Sequence, residues 1–252
     1  MFRITQYIAR ILLAVCITTL ISCNNISNQN TEVGRADSLT LRIAILPIQE
    51  CNILRYAKES GLATQMGINI ELIDYDALMD IDTALLADVA HVYFEDSLRV
   101  SRIQEDSLRP TLLLKIPIKA KLIANKDKEI TKVSELRTNM VGLTRWSQLE
   151  KWANEITASA GLGQMDVYYA QINSIPLRFN MVNDGLIDAA IMPQPWADSL
   201  NNIGHLAIQD TILYGTGLFV SPKAINDTTI HKQIQQLKVL YLEALKQTTN
   251  RT

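Results

Sequence analysis

"IDAAIMPQPWADSL", residues Ile187 to Leu200, holds an apolar run, two prolines around a glutamine, and a tryptophan that opens a new pattern. The letters Ala189 to Met192 read as a buried strand, because a short uninterrupted apolar run between turn signals is how a strand covered on both faces is written. Pro193 and Pro195 then fix φ and remove two backbone N–H donors, so neither strand nor helix runs through them. Trp196 follows at the start of a helical pattern. A strand that ends in a stiff turn and feeds a helix is the repeating unit of an open α/β sheet, which places its ligands at the carboxyl ends of the strands.

The same grammar recurs along the chain. "LRIAIL" (Leu41 to Leu46) is stopped by Pro47, and "CNILRYAKESG" then sets Ile53, Leu54 and Ala57 at helical spacing before the stop at Gly61. "INIELI" (Ile68 to Ile73) and "VAHVYF" (Val89 to Phe94) flank a helical pattern from Leu78 to Ala87. Strand, helix and strand at this spacing predict parallel strands joined by crossovers. After the extended "TLLLKIPIKAKLIANKD" the plan restarts with "MVGLT" as a strand. "SQLEKWANEITASAG" carries Leu149, Trp152, Ala153, Ile156 and Ala160 on one helical face, and "MDVYYA" and the helical "SIPLRFNMVNDG" lead back to the opening stretch.

"LLADVAHVYFED" lines up with "GLIDAAIMPQPW", pairing Asp88 with Asp188 and Ala90 with Ala190. Each Asp is expected at a helix-to-strand turn and each Ala on the strand that follows. Two copies of one plan imply two lobes with a cleft between them. "GLFVSP" (Gly217 to Pro222) is a further strand, and Ile234, Leu237, Tyr241, Ala244 and Leu245 mark one long final helix. A second crossing within residues 206–216 would return the chain to the first lobe. The expected organisation is a signal peptide at 1–22, a tether at 23–39, a discontinuous first lobe at 40–117 plus 213–252, and a second lobe at 118–212.

Arg3 and Arg10 precede "ILLAVCITTLI", an apolar run too short to span a bilayer, and this reads as a secretory signal. "LISC" (Leu20 to Cys23) resembles a bacterial lipobox, which implies cleavage before Cys23 and lipidation of that residue. Residues 24–38 are poor in large apolar side chains and read as a flexible, solvated tether. They lack an acidic cluster of the kind that directs some lipoproteins to the cell surface, so a periplasm-facing protein anchored in the membrane by lipid is expected. The formal net charge of −2 and the lack of a polybasic run exclude nucleic acid as a partner, since binding it requires a basic face. With Cys16 in the leader and Cys23 acylated, Cys51 stands alone, and no disulfide framework is possible.

"LRIAILPIQECNILRYAKESGLATQMGINIELI", "KVSELRTNMVGLTRWSQLEKW" and "LIDAAIMPQPWA" resemble the solute-binding proteins of ABC importers, in the branch that takes sulfonates, nitrate, taurine and thiamine pyrimidine precursors. The resemblance implies an α/β fold of the type II periplasmic-binding class, whose two lobes clamp a small-molecule ligand. It also implies an ABC permease and its ATPase as partners, a monomeric state, and neither enzymatic activity nor a cofactor. The chain is shorter than is usual for that family, and its first loop lacks the family's small and hydroxyl residues.

Four loops at strand carboxyl ends supply the candidate ligand site: Gln49, Glu50 and Asn52; Glu95 and Asp96; Thr144, Arg145, Trp146 and Ser147; and Gln194 with Trp196. Thr144 to Ser147 precede a helix whose free N–H groups and dipole favour an anion, to which Arg145 could add a fork of donors. Ser147 as a plain N-cap beside a solvated Arg145 is the other reading. Glu50, Glu95 and Asp96 disfavour a small bare anion and suit an amine-bearing heterocycle, with Trp146 or Trp196 as a stacking face. Asp96 or Ser97 as a helix cap is the plainer alternative.

No nucleophile elbow, Walker loop or dinucleotide fingerprint is present, and His91, His205 and His231 have no metal spacing. Cys51 is expected to pack as a small apolar residue. Two other functions fit the same scaffold: an enzyme resembling menaquinone-pathway proteins, and a sensory or assembly lipoprotein that has lost transport.

Overall fold

The computed structural model describes residues 40–250, so the leader, the tether and Cys23 lie outside the described residues. Two five-stranded sheets share one plan. The first is built from β1 (Leu41–Ile45), β2 (Ile70–Asp74), β3 (Val92–Asp96), β4 (Thr111–Lys115) and β10 (Thr216–Val220), in the order β2-β1-β3-β10-β4. The second uses β5 (Ile118–Ala124), β6 (Met140–Leu143), β7 (Tyr168–Gln171), β8 (Ala189–Pro193) and β9 (Leu206–Leu213), in the order β7-β6-β8-β5-β9. In each, one strand is reversed: β10 in the first sheet and β5 in the second run antiparallel to both of their neighbours, so β4 and β9 beyond them point the same way as the three strands that pair in parallel. The sheets are therefore mixed, not wholly parallel as the crossover spacing alone implies.

The fully buried strands β3, β8 and β10 occupy interior positions of these sheets, which is why their sequences show no in-out alternation, although β3 ends on two buried carboxylates, Glu95 and Asp96. Helices α1 (Gln49–Glu59), α2 (Leu62–Gln65) and α3 (Leu78–Leu86) connect the first sheet's parallel strands, and α4 (Ser97–Val100) follows β3. Helices α5 (Gln148–Ser159), α6 (Ile175–Asn183) and α7 (Trp196–Asn202) take the corresponding places in the second. The short α8 (Pro222–Asn226) leads to α9 (His231–Thr249), which buries Ile234, Leu237, Tyr241 and Ala244 and packs on α1.

The repeat is real in the order of strands but displaced in the letters. Asp188 stands immediately before β8 with Ala190 on that strand, whereas Ala90 and His91 still precede β3. Asp88 itself closes the turn after α3 at a positive φ of 52°. The pairing of Ala90 with Ala190 is thus corrected: a residue-by-residue match aligns similar words, while the sheets are equivalent through their strand order.

The chain passes from the first sheet to the second at Ile116-Pro117 and returns at Tyr214-Gly215. These crossings run side by side, with the Ile116 N–H donating to the Thr216 carbonyl at 2.9 Å and the Thr216 hydroxyl donating back to the Ile116 carbonyl at 2.5 Å. Among the described residues no helix is long and apolar enough to cross a membrane, and no group of His, Cys, Asp and Glu could hold a metal ion.

Candidate functional site

The turns after the parallel strands of the two sheets face one another along a closed seam. On one flank, Gln49 donates its N–H to the Gln194 carbonyl at 2.8 Å, Lys119 donates its N–H to Glu50 Oε1 at 3.0 Å, and the Trp196 indole donates to the Pro47 carbonyl at 2.5 Å. The Gln194–Pro195 bond is cis, and Trp196 begins α7 half-buried, edge-on to Phe179 with ring centroids 5.3 Å apart. On the other flank, Gln148 donates its N–H to Asp96 Oδ2 at 2.7 Å and Arg99 donates to the Arg145 carbonyl at 2.8 Å. Ile175 donates its N–H to the Asp76 carbonyl at 2.9 Å.

Asp96 caps two helices at once. Its Oδ1 accepts from Leu98 in the first turn of α4, while its Oδ2 takes the first N–H of α5. Ser147 is the N-cap of α5 and accepts from Glu150. The N-terminus of α5, where an anionic ligand was anticipated, therefore holds the protein's own carboxylate. Burial raises the Asp96 carboxyl to about 6, against the two backbone N–H groups that favour its charged form. Burial first, and the Asp82 carboxylate second, push Glu95 well above the ordinary range; Glu95 is wholly buried, and its Oε2 accepts from the Asp96 N–H at 2.9 Å.

Between the flanks lies a cavity of about 30 Å³, lined from both sheets. Its apolar lining includes Leu46, Ile48, Phe94, Ile118, Leu149 and Ile175, and its polar lining is Asp96, Thr144, Asn173, Arg178 and Thr216, with the Asn173 side-chain oxygen buried and without a hydrogen-bond partner. Arg178 has no exposed surface. Its Nη1 donates to the Thr144 hydroxyl oxygen at 3.0 Å and to the Ile172 carbonyl, but its Nε and Nη2 have no hydrogen-bond partner. No carboxylate among the described residues pairs with it, and burial pulls the guanidinium down to about 9. An uncompensated buried charge is among the costliest features a fold carries.

The residues singled out in the sequence divide by place. Asp96 and Thr144 line the cavity, and Gln49, Glu50, Gln194 and Trp196 form one flank of the seam. Glu95 and Ser147 are buried supports, and Asn52 is exposed on α1. Arg145 pairs with Glu150 at 2.6 Å and does not line the cavity. Trp146 is half-exposed at a positive φ of 57°, with the Arg102 guanidinium 4.6 Å from its ring centre. Arg178 escaped the sequence reading. Its signal was present, because it shares one face of α6 with buried Ile175 and Val182, where a lone arginine interrupts an apolar stripe.

Groups that could suggest catalysis are used structurally. Cys51 is free and buried, and its thiol is pushed far up by burial. The Nδ1 atoms of His91 and His205 accept from the backbone N–H groups of Arg42 and Lys126.

Two sheets of this strand order, joined by paired crossings and meeting at their strand ends, define the type II periplasmic-binding-protein fold. Among solved structures the chain is similar to the alkanesulfonate-binding protein SsuA of Xanthomonas axonopodis pv. citri bound to MOPS, at a TM-score of 0.66 and 16% identity over 82% of this chain and 73% of that one. It is also similar to the periplasmic aliphatic sulphonate binding protein SsuA of Escherichia coli, at a TM-score of 0.63 and 13% identity over 84% and 75% of the two chains. PhnD1 of Prochlorococcus marinus in complex with methylphosphonate aligns at a TM-score of 0.59 and 15% identity over 80% and 83%. No protein-family model and no curated protein matches the chain.

Proposed function

We propose that the chain is an exported solute-binding protein, anchored to the membrane through lipid on Cys23, that closes its two lobes over a small solute and delivers it to an ABC permease with its ATPase. The observation that carries this reading is the cavity at the strand ends, walled by both sheets and bordered by hydrogen bonds that run from one sheet to the other. A solute held between the lobes contacts both only when they are closed, so its binding shifts an open–closed equilibrium toward the closed form. The paired crossings at Ile116-Pro117 and Tyr214-Gly215 are the segments about which such a motion turns.

Small-angle scattering of the full chain in detergent tests the reading, with sulfonates, carboxylates, amino acids and pyrimidines added in turn. A binding solute should reduce the radius of gyration and, in a parallel thermal melt, raise the melting temperature; an unchanged radius at saturation would contradict lobe closure. If no class of small solute binds, the chain is not a solute carrier. Cys23→Ser should move the protein from the membrane fraction to the soluble one with its solute affinity unchanged; retention in the membrane would contradict lipid anchoring.

A further inference from the structure

We infer that the groove beside the two crossings, outside the seam, is a binding site for a free α-amino acid with an apolar side chain. The groove has a volume of about 390 Å³, within the range of small-molecule sites, and shares no lining residue with the seam cavity. Helices α1 and α9 and the end of β4 form one side of it, and Lys119 of β5 and Ile212 of β9 form the other. Ile116, Pro117 and Tyr214 of the crossings lie between them. Ile212, Leu242 and Leu245 are 48%, 48% and 40% exposed there, so an apolar patch stands open next to charged groups.

The charges select the ligand. Glu50 is half-buried at the start of α1; its Oε1 accepts from the Lys119 N–H at 3.0 Å, and its Oε2 has no hydrogen-bond partner. Burial is the strongest influence on this carboxyl and raises it, against the Lys119 N–H and the Lys119 charge. A cationic donor would supply what the protein leaves out at that oxygen. Lys115 and Lys119 line the same groove, both exposed, and neither forms an ion pair among the described residues. An ammonium for Glu50 and a carboxylate for the lysines are the two halves of an amino-acid head group, and the Lys119–Glu50 hydrogen bond sets those two residues side by side. A plain amine would answer Glu50 and be repelled by the lysines; a plain carboxylate would do the reverse. Gln49 and Thr249 add polar lining without charge, and the Tyr241 hydroxyl is committed to the Glu50 carbonyl. The ligand side chain then lies on Ile53, Ile116, Tyr241 and Leu245.

Calorimetry of the full chain at neutral pH tests this with L-leucine and L-phenylalanine. Each is set against the amine and the carboxylate left when one charged group is removed: isoamylamine and isocaproate for the first, phenethylamine and hydrocinnamate for the second. At least one amino acid should bind, and both of its single-charge analogues should bind about tenfold more weakly or worse, as the loss of a charge-assisted hydrogen bond requires. Glu50→Gln keeps an acceptor for the Lys119 N–H, and Lys119→Met keeps that N–H; each should fold, as thermal melting checks, and weaken binding by a similar factor. Leu245→Arg, on the exposed side of α9, should abolish it. Equal binding of either analogue overturns the inference, as does unchanged affinity in either charge variant. A response that survives Leu245→Arg lies outside the groove and overturns it too, as does failure of both amino acids to bind. If Leu245→Arg does not fold, Tyr214→Arg takes its place, since that ring is 72% exposed. The inference does not rest on the solute-binding reading: losing the groove leaves the seam's solute untouched, and a seam that takes no solute leaves the groove's amino acid in place.

Discussion

Asp96 of β3 accepts the backbone N–H of Gln148 at 2.7 Å, so a carboxylate from one sheet caps the leading turn of a helix that belongs to the other. The same side chain caps α4 through Leu98. A helix N-terminus leaves several N–H groups unsatisfied and carries partial positive charge, and either feature draws an anion. Here the anion is internal, which ties closure of the seam to helix capping.

Asp96→Ala should therefore lower stability at neutral pH by about 2 kcal/mol, the cost of two lost caps, one of them buried in the seam. It should also enlarge the radius of gyration. Denaturant titration and scattering on the same sample check both effects, and a stable variant of unchanged radius would show that the seam is held elsewhere.

The Asp96 carboxyl lies at about 6 in the folded chain, against about 3.9 for an ordinary aspartate. With the folded value raised, the native state binds more protons, so the proton-linked part of this group's contribution is full below about pH 4 and is lost as the pH rises through about 6, while the two caps remain. Relative to Asp96→Asn, the parent should lose up to about 3 kcal/mol across that window and then level off. Glu95 shifts in the same direction, and His91 and His205 are lowered by burial, which gives the opposite sign. The comparison of parent with variant isolates Asp96 from all three.

Trp196 joins the two sheets through its indole N–H and packs edge-on to Phe179. Trp196→Phe keeps an aromatic ring and should cost about 1 kcal/mol for the lost hydrogen bond. Trp196→Ala removes the ring as well and should cost roughly 3 kcal/mol. Equal costs would mean that the hydrogen bond to Pro47 contributes all of the stabilisation.

Gly217 of β10 faces the Leu114 carbonyl so closely that an added Cβ would collide with that backbone oxygen. Neither strand can yield without breaking the ladder beside the return crossing. Gly217→Ala should destabilise the chain by roughly 1–3 kcal/mol, read as a lower melting temperature.

Much of the architecture was legible because it is written in local periods. The apolar run at Ala189–Met192 and the buried face of α5 follow from side-chain spacing over a few residues, and both elements lie where that spacing puts them. The reversed strands were less so: β5 and β10 pair with partners far along the chain, and nothing in their own letters states direction.

The sequence by itself determined the strands that pair in parallel and the longer helices, that the plan is used twice, and that the recurring feature of the plan is a turn at each strand's carboxyl end, but it read residues 206–216 only as a crossing where β9 stands. Only the tertiary structure decided which charged groups meet there. Arg145 and Arg178 read alike as letters, yet one reaches Glu150 at the half-exposed margin while the other is sealed with two unpartnered donors. Burial is set by what packs from elsewhere in the chain, and Arg178 is enclosed because a second sheet closes over its helix. For the same reason Asp96 reads locally as the cap of α4, and its second partner, 52 residues away, exists only once the two sheets meet.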